Sequence, residues 1–416
     1  MSSIHCWAAA FAFGALSACG ASAAGCHVDS DCAAGPCVGG VCRPPVASGT
    51  ASATSGGGTT TGATAGTSTG TGSSTSSGTS SSTGTSTSTG TSSSSGSSTG
   101  TGGSTSGTSG SSTGAGTTTG TGTTGTGGGI GPNGGSVPRL IFGVVGDTRP
   151  AVPDDTANYP TAIITQIFQD LASASPQPQF VLAGGDYMNA TSGNGQAAPQ
   201  LDLFLQAAKG FPGQLFPAMG NHECAGKSST NCGPGNTDGT TENYTAFLQT
   251  MLGGVGLSQT EPYYSVNLGS SDPTNPWTAK IVVIAANAWD QAQQSWLTNV
   301  MQQATTYTFV VRHEPTTNDA TAPGGPASDA ILQSSNYTLL FTSHTHTYQL
   351  NAPNEIVVGV GGAPLSSSAG GLQYGYVLCS QRADGAIVCS EFDYSSQSSS
   401  YANPTVIVTP AGVATQ

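Results

Sequence analysis

Gly220-Asn221-His222-Glu223 directly follows the apolar run Leu215–Met219. Two other segments repeat the arrangement, because Arg312-His313-Glu314-Pro315 and Ser343-His344-Thr345-His346 each follow an apolar run as well. These three segments hold every histidine after residue 136. Imidazole groups confined to the ends of apolar runs predict one shared site.

Two aspartates extend this pattern. Val144-Val145-Gly146-Asp147-Thr148-Arg149 and Leu182-Ala183-Gly184-Gly185-Asp186 each end a probable strand on a carboxylate. Functional groups of open α/β sheets collect where strands end, so the five segments predict a common crevice. Carboxylate, amide and imidazole donors without cysteine suit zinc, manganese or iron, and a bridging carboxylate would allow two ions.

The order of these five segments resembles the calcineurin-like metallophosphoesterases, which include the purple acid phosphatases. That family's pattern runs Asp-x-His, Gly-Asp, Gly-Asn-His-(Asp/Glu), His, Gly-His-x-His. The resemblance covers roughly residues 137–395. It implies hydrolysis of phosphomonoesters or phosphodiesters by attack of a metal-bound hydroxide.

The resemblance also implies which residues hold two divalent ions, with manganese, zinc and iron all open. The ligands are Asp147 and His346 for the first ion, Asn221, His313 and His344 for the second, and Asp186 as the bridge. In the family, the residue matching His222 donates a proton to the leaving group. We expect Glu223 to orient the His222 ring.

Two positions depart from the family pattern and weaken the first ion's site. Arg149 stands where the family has histidine, and a guanidinium cannot ligate a cation. Asn189 stands where purple acid phosphatases have tyrosine. Our hypothesis is that Arg149 lies at the rim and binds substrate phosphate bidentately. The competing interpretation is a surface arginine that caps the following loop.

Apolar periodicity predicts alternating strands and helices followed by a strand-rich tail. Ile163, Ile164, Ile167, Phe168 and Leu171 form one helical face, and Trp296, Leu297 and Val300 mark a second helix. The predicted strands are 140–145, 180–183, 215–219, 263–268, 281–286, 308–311, 339–342, 356–360, 374–379, 387–392 and 405–408. The predicted fold class is α/β, a two-sheet β-sandwich flanked by helices over residues 137–416.

The N-terminal segment predicts export. Residues 1–18 contain a 12-residue apolar run, Trp7–Ala18, too short for a transmembrane helix. Leu16-Ser17-Ala18-Cys19 resembles a bacterial lipobox with Cys19 as the mature N-terminus, although no Lys or Arg precedes it. This predicts an outer-membrane or cell-surface lipoprotein. Cleavage after Ala21-Ser22-Ala23 would instead give a soluble periplasmic or secreted protein.

Between the predicted signal peptide and the folded domain lie two other regions. Residues 24–45 hold Cys26, Cys32, Cys37 and Cys42, which predict a small disulfide module, with a zinc site as the alternative. Residues 49–136 are almost entirely Gly, Ser, Thr and Ala, and we predict a disordered linker. In the last domain, we expect disulfides between Cys224 and Cys232 and between Cys379 and Cys389, the latter across a three-residue hairpin loop, 383–385.

The net charge of −13 with eight Lys and Arg argues against nucleic acid as a partner. We therefore expect a monomer that acts on a small phosphoester and contacts membrane only through a lipid anchor. Loops 226–241 and 316–327 are candidates for substrate recognition. A second hypothesis, motivated by Arg149 and Asn189, is a surface-displayed binding or structural protein that retains a degenerate site.

Overall fold

The computed structural model describes residues 37–38, 41–42, 129–317, 321–351, 354–366, 373–394, 396, 398–399 and 405–415. The predicted signal peptide, the lipobox and nearly all of the predicted linker lie outside these residues. So do Cys26 and Cys32, and with them the predicted cysteine pairing. Within the module, β1 (Cys37–Val38) and β2 (Val41–Cys42) form an antiparallel pair.

The larger sheet has eight strands in the spatial order β12-β13-β11-β10-β9-β8-β4-β3. Its central strands β9, β10, β11 and β13 run parallel, and β8 and β12 run antiparallel to their neighbours β9 and β13. The strands are β3 (Ile130–Gly131), β4 (Gly134–Val137), β8 (Tyr264–Ser270), β9 (Thr278–Val283), β10 (Tyr307–Val311), β11 (Leu339–Thr342), β12 (Tyr348–Asn351) and β13 (Glu355–Val358).

The smaller sheet has seven strands in the order β17-β16-β15-β14-β5-β6-β7. Here β5, β6 and β7 are parallel, whereas β14 to β17 form an antiparallel extension. The strands are β5 (Ile141–Val145), β6 (Phe180–Ala183), β7 (Gln214–Pro217), β14 (Gly375–Gln381), β15 (Ile387–Asp393), β16 (Thr405–Val408) and β17 (Ala414–Thr415).

Helices cover the outer face of each sheet. The five α-helices within the described residues are α1 (Thr161–Ser173), α2 (Ala197–Ala208), α3 (Glu242–Ala246), α4 (Gln291–Met301) and α5 (Gly325–Gln333). A π-helical segment, Phe247–Leu252, continues α3, and a short 3-10 helix spans Ala286–Ala288. None of the helices in the described residues is long and apolar enough to cross a membrane.

Three apolar clusters hold the layers together. Alternate residues of β5 face opposite ways, so Phe142 and Val144 pack between the sheets while Ile141 and Val145 pack under α1 and α2. The third cluster joins the outer face of the larger sheet to α4 and α5, with Val282, Val310, Leu297 and Leu332 among its members. The predicted α/β fold, a two-sheet sandwich flanked by helices, is confirmed.

The predicted start of this domain is too late. Residues 130–137 fall in or next to the predicted linker, yet β3 and β4 form a hairpin and β4 pairs in parallel with β8. The glycines of this segment have no side chains to bury, so hydrophobic patterning carried no signal of a strand. β4 belongs to the sheet through its backbone hydrogen bonds to β8.

The two predicted disulfides differ in outcome. Cys379 and Cys389 face each other in the register of β14 and β15 and are bonded. Gly385 has a left-handed φ of 87°, and Arg382 and Ala386 close the predicted loop. The Cys224–Cys232 prediction is wrong, because both residues are buried free thiols in contact with each other. The short separation of the two cysteines in sequence was enough to predict that they are in contact, but not whether they form a disulfide.

Candidate metal centre

Six predicted ligands converge at one edge of the sandwich. Asp147, Asp186 and Asn221 follow β5, β6 and β7 of the smaller sheet, whereas His313, His344 and His346 follow β10 and β11 of the larger sheet. Because all five strands are parallel members of their sheets, their carboxyl ends open on the same crevice. The predicted convergence is therefore present.

The backbone is strained at four of these ligands. Asp147, Asp186, His344 and His346 have positive φ angles of 54°, 57°, 68° and 52°, a region that side chains other than glycine rarely adopt. Only Asp154 joins them among non-glycine residues in the described part of the chain. Such strain concentrates at functional sites, where the surroundings hold the conformation in place.

Gly220 illustrates how tightly the loops approach. A Cβ atom at Gly220 would lie 2.4 Å from Oδ1 of Asp186 and 2.7 Å from its backbone nitrogen. The glycine before Asn221 is thus required for the β7 loop to pass beside Asp186.

One donor set comprises Asp186, Asn221, His313 and His344. Nε2 of His313 lies 3.2 Å from Oδ1 of Asp186, and Nδ1 of His344 lies 3.2 Å from that same Nε2 and 3.0 Å from Oδ1 of Asn221. His313 donates from Nδ1 to the Gly184 carbonyl at 2.8 Å, which directs its Nε2 into the set. Asn221 donates from Nδ2 to the Gly226 carbonyl at 3.0 Å, which turns its Oδ1 inward.

A second donor set comprises Asp147, Asp186 and His346, whose donor atoms lie within 4.8 Å of one another. His346 donates from Nδ1 to the Pro364 carbonyl at 2.6 Å, so its Nε2 lone pair faces Asp147, 3.6 Å from Oδ1. Asp147 is fully buried, and neither of its carboxylate oxygens has a hydrogen-bond partner among the described residues. Burial raises the pKa of Asp147. A buried carboxylate without hydrogen-bond donors, next to an imidazole nitrogen, fits a bound cation.

Asp186 belongs to both sets. Burial acts against ionisation of this carboxyl, but His313, His222 and Arg149 outweigh it and hold the pKa of Asp186 well below its usual range. Conversely, the Asp186 carboxylate overcomes burial and raises the pKa of His313 well above its ordinary value. Burial lowers the pKa of His344 to about 4. The shared carboxylate is therefore an anion between two groups of donors, as a bridging ligand must be.

The prediction that Glu223 orients the His222 ring is wrong. Both Glu223 oxygens accept backbone N–H groups instead, from Asp186, Tyr187 and Gly220 at 2.8 Å each and from Met188 at 3.3 Å. The carboxylate thus holds the turn after β6, while Nδ1 of His222 has no hydrogen-bond partner among the described residues. Burial raises the pKa of Glu223 to about 7. Glu223 is a positioning residue for Asp186.

His222 lies beside the centre, with its side chain 14% exposed. Nε2 of His222 is 3.8 Å from Oδ2 of Asp186, its backbone N–H donates to Oδ1 of Asp186 at 3.1 Å, and its carbonyl accepts from Asn243. Burial lowers the pKa of His222 to about 4. The ring is thus near the ligands without belonging to either donor set.

The two departures from the family pattern have different surroundings. Arg149 reaches into the centre, where Nε lies 3.5 Å from Oδ2 of Asp186 and Nη2 lies 3.3 Å from Nε2 of His346. Its side chain is 16% exposed, so the predicted rim position is too far out. Asn189 donates from Nδ2 to the carbonyls of Pro150 and Ala151 at 3.3 Å. It fixes the loop that follows Arg149.

Sequence reasoning missed one support of the site. Arg312 is fully buried, and Nη1 donates to Oδ1 of Asp329 at 2.6 Å and to Oγ of Ser328 at 2.7 Å. These bonds tie the residue before His313 to α5. Its place before a predicted ligand was visible in the sequence, but its partners are 16 and 17 residues away and carried no motif.

Two sheets between helices, with carboxylate, amide and imidazole donors at the strand ends, define a metallophosphoesterase-like architecture. The model of the calcineurin-like phosphoesterase family matches residues 141–348, half of the 416-residue chain. The chain belongs to this family. The family binds a dinuclear metal centre, and both donor sets lie within the matched segment.

Solved structures resemble the chain at low sequence identity. GAP50, the anchor in the inner membrane complex of Plasmodium, is 13% identical with a TM-score of 0.44, covering 65% of this chain and 89% of its own. The purple acid phosphatase PPD1 from yellow lupin (Lupinus luteus) seeds is 16% identical with a TM-score of 0.45, and the match covers 62% of this chain and 52% of PPD1. Among curated proteins, none matches the chain.

Proposed function

We propose that this protein is a metal-dependent phosphoesterase that hydrolyses phosphomonoesters or phosphodiesters of small molecules. The observation that carries the proposal is the convergence of Asp186, Asn221, His313 and His344, with donor atoms 3.0 to 3.2 Å apart between neighbours. Backbone carbonyls fix the orientation of two of these donors before any ligand arrives. Bound divalent ions would supply charge stabilisation for phosphoryl oxygens and lower the pKa of water.

The chain's own residues then bind and orient the substrate. Arg149 offers the N–H groups that do not face Asp186 or His346 to a phosphate oxygen, a charge-assisted contact. His222 lies on the partly exposed side of Asp186, where its ring can hydrogen-bond to the leaving oxygen. Small-molecule substrates agree with the net charge of −13, which disfavours nucleic acid.

We further propose that the protein is exported and anchored by a lipid on Cys19. The Cys379–Cys389 disulfide supports export, since such bonds persist in oxidising compartments. The lipobox-like segment Leu16-Ser17-Ala18-Cys19 supports the anchor. The proposed state is a monomer at the outer membrane or cell surface.

A binding protein with a degenerate site is the second candidate function. One observation favours it, because the Arg149 guanidinium contacts two of the three donors of the set that contains Asp147. Under this alternative, the chain would bind a phosphorylated ligand without turnover.

The test is hydrolysis of p-nitrophenyl phosphate and bis-p-nitrophenyl phosphate by the full chain, supplied in turn with manganese, zinc and iron. We expect turnover with at least one ion and a loss of about a thousandfold or more in His313→Ala, which removes a donor and its bond to Gly184. Arg382→Ala is the matched control, since Arg382 forms an exposed pair with Asp384 in a hairpin loop and should keep full activity. Absence of turnover with every ion, or full activity in His313→Ala, would overturn the proposal.

A further inference from the structure

The guanidinium of Arg149 occupies the side of Asp186 that faces the set containing Asp147. Oδ1 of Asp186 faces His313 at 3.2 Å, whereas Oδ2 faces Nε of Arg149 at 3.5 Å. The two oxygens of the shared carboxylate thus meet different partners. Oδ1 is turned to His313, whereas Oδ2 lies beside a permanent cation and 3.8 Å from Nε2 of His222.

His346 is engaged by the same guanidinium. Because Nδ1 of His346 donates to the Pro364 carbonyl, Nε2 carries the only lone pair available to a cation. Nη2 of Arg149 lies 3.3 Å from this Nε2 and donates to it. A single lone pair cannot serve an N–H donor and a metal ion at once, so arginine and metal compete for this donor.

In the other set, Arg149 reaches only the shared Asp186, through Oδ2. Among the described residues, no lysine or arginine contacts Asn221, His313 or His344. Both His313 and Asn221 are held by backbone carbonyls with their donor atoms directed inward. This set provides two imidazole nitrogens, an amide oxygen and a carboxylate oxygen, which suffices for tight binding of one divalent ion.

We propose that the protein holds one divalent ion tightly, in the set Asp186, Asn221, His313 and His344, and that the Arg149 guanidinium takes the cationic role of the second ion. The buried Asp147 carboxylate remains available, so the lost ion should return once the guanidinium is replaced by a donor. Arg149 would then act as both a fixed counter-charge for Asp186 and a contact for substrate phosphate. Only this last role rests on the proposed function.

The experiment counts metal per chain by elemental mass spectrometry in full-length protein loaded with manganese and freed of excess ion by gel filtration. We expect about one equivalent in the wild type and about two in Arg149→His, which recreates the Asp-x-His pattern. The double variant Arg149→His with Asp147→Asn should fall back to about one. Electron paramagnetic resonance adds a second readout, since two adjacent manganese ions should give a spin-coupled signal in Arg149→His alone.

Two equivalents or a spin-coupled signal in the wild type would overturn the inference, even if Arg149→His fails to fold. One equivalent in a well-folded Arg149→His variant would overturn it as well. The wild-type result separates this inference from the proposed function. Two ions with phosphoesterase turnover would refute the role of Arg149 and leave the enzyme, whereas no bound ion and no turnover would refute both.

Discussion

Glu223 shows how a single buried carboxylate can control a site that it does not enter. Its two oxygens accept four backbone N–H groups, three of them from the turn that carries Asp186. Without these bonds the turn would leave several buried donors unpaired, each costing about 1–3 kcal/mol. The strained φ of Asp186 is held by this arrangement.

We therefore expect Glu223→Gln to lower both stability and metal retention. Replacing one carboxylate oxygen by an NH2 group sets donors against donors and should reduce the free energy of unfolding by about 2–4 kcal/mol. Urea denaturation and metal analysis measure the two effects. Gln381→Ala is the control, since Gln381 also bonds a backbone N–H while buried at the other end of β5 and should lose stability only. Normal metal content in Glu223→Gln would contradict the positioning role.

At this scale the sequence predicted which side chains converge but not their surroundings. Residue types and order were sufficient to group Asp147, Asp186, Asn221 and the histidines. The partner of Glu223 and the depth of Arg149 depend on loop conformations with left-handed φ at non-glycine residues, for which the sequence carries no signal. The direction in which each of these two side chains points is therefore known only from the structure.

The hairpin of β14 and β15 completes the smaller sheet around β5. β14 pairs antiparallel with β5 from Val377–Val144 to Ser380–Ile141, so the strand that leads to Asp147 is flanked on both sides. The disulfide between Cys379 and Cys389 joins the two strands of the hairpin. Within β15, Glu391 is 1% exposed, and among the described residues only its Oε2 has a hydrogen-bond partner, Oγ of Ser399.

Glu391 should make stability depend on pH. Burial raises its pKa to about 8, so between pH 4.5 and 8 the folded protein binds more protons here than the unfolded chain does. The stability that Glu391 contributes is fully present below its pKa in the unfolded chain and is lost as the pH rises through its pKa in the folded protein. Between pH 5 and 8, we expect the free energy of unfolding of the wild type to fall by about 1–3 kcal/mol because of this group, and Glu391→Gln should not show this fall. Denaturant titrations at several pH values measure this. If the free energies of unfolding of the two proteins depended equally on pH, the pKa of Glu391 would not be raised.

Most strands rich in apolar residues and the helices α1 and α4 were predicted, whereas α2, α5 and β4 were not. The runs at 180–183, 308–311 and 339–342 are present as strands, since β-branched and aromatic residues fill both faces. β4 escaped prediction because its sequence, Gly-Gly-Ser-Val, has almost no side chain to bury. Its pairing with β8 lies more than 130 positions along the chain, beyond any local pattern.

The candidate metal centre draws its donors from both sheets of the domain. Three donors come from loops of the smaller sheet and three from loops of the larger sheet. A bound ion therefore links the halves of the sandwich and favours the folded state by mass action.

Removing metal should lower the melting temperature. A free ion at one hundred times its dissociation constant stabilises by about 2.7 kcal/mol, which for a domain of this size is a shift of several degrees. Differential scanning calorimetry with and without a chelator measures it. His313→Ala should melt at nearly the same temperature in both conditions. If the wild type holds an ion and yet melts identically after chelation, the ion does not link the sheets.

At the scale of the whole molecule, the family motifs predicted the fold, whereas the division of the chain before residue 129 stays a prediction. Histidine placement was sufficient to predict that the strand ends share one site, because it depends on residue type and order and not on loop conformation. Whether Cys224 and Cys232 were bonded or merely adjacent could not be predicted, since a bond depends on side-chain geometry as well as spacing.

The position of β14 in the smaller sheet also sets the order of events during synthesis. A ribosome releases β5 early, yet β5 gains its second neighbour only when residues 375–381 emerge, more than 200 positions later. Until then, the strand that presents Asp147 has an open edge. Nascent chains that stop short of residue 375 should therefore fail to assemble the centre, which makes acquisition of metal one of the last steps in the maturation of this protein.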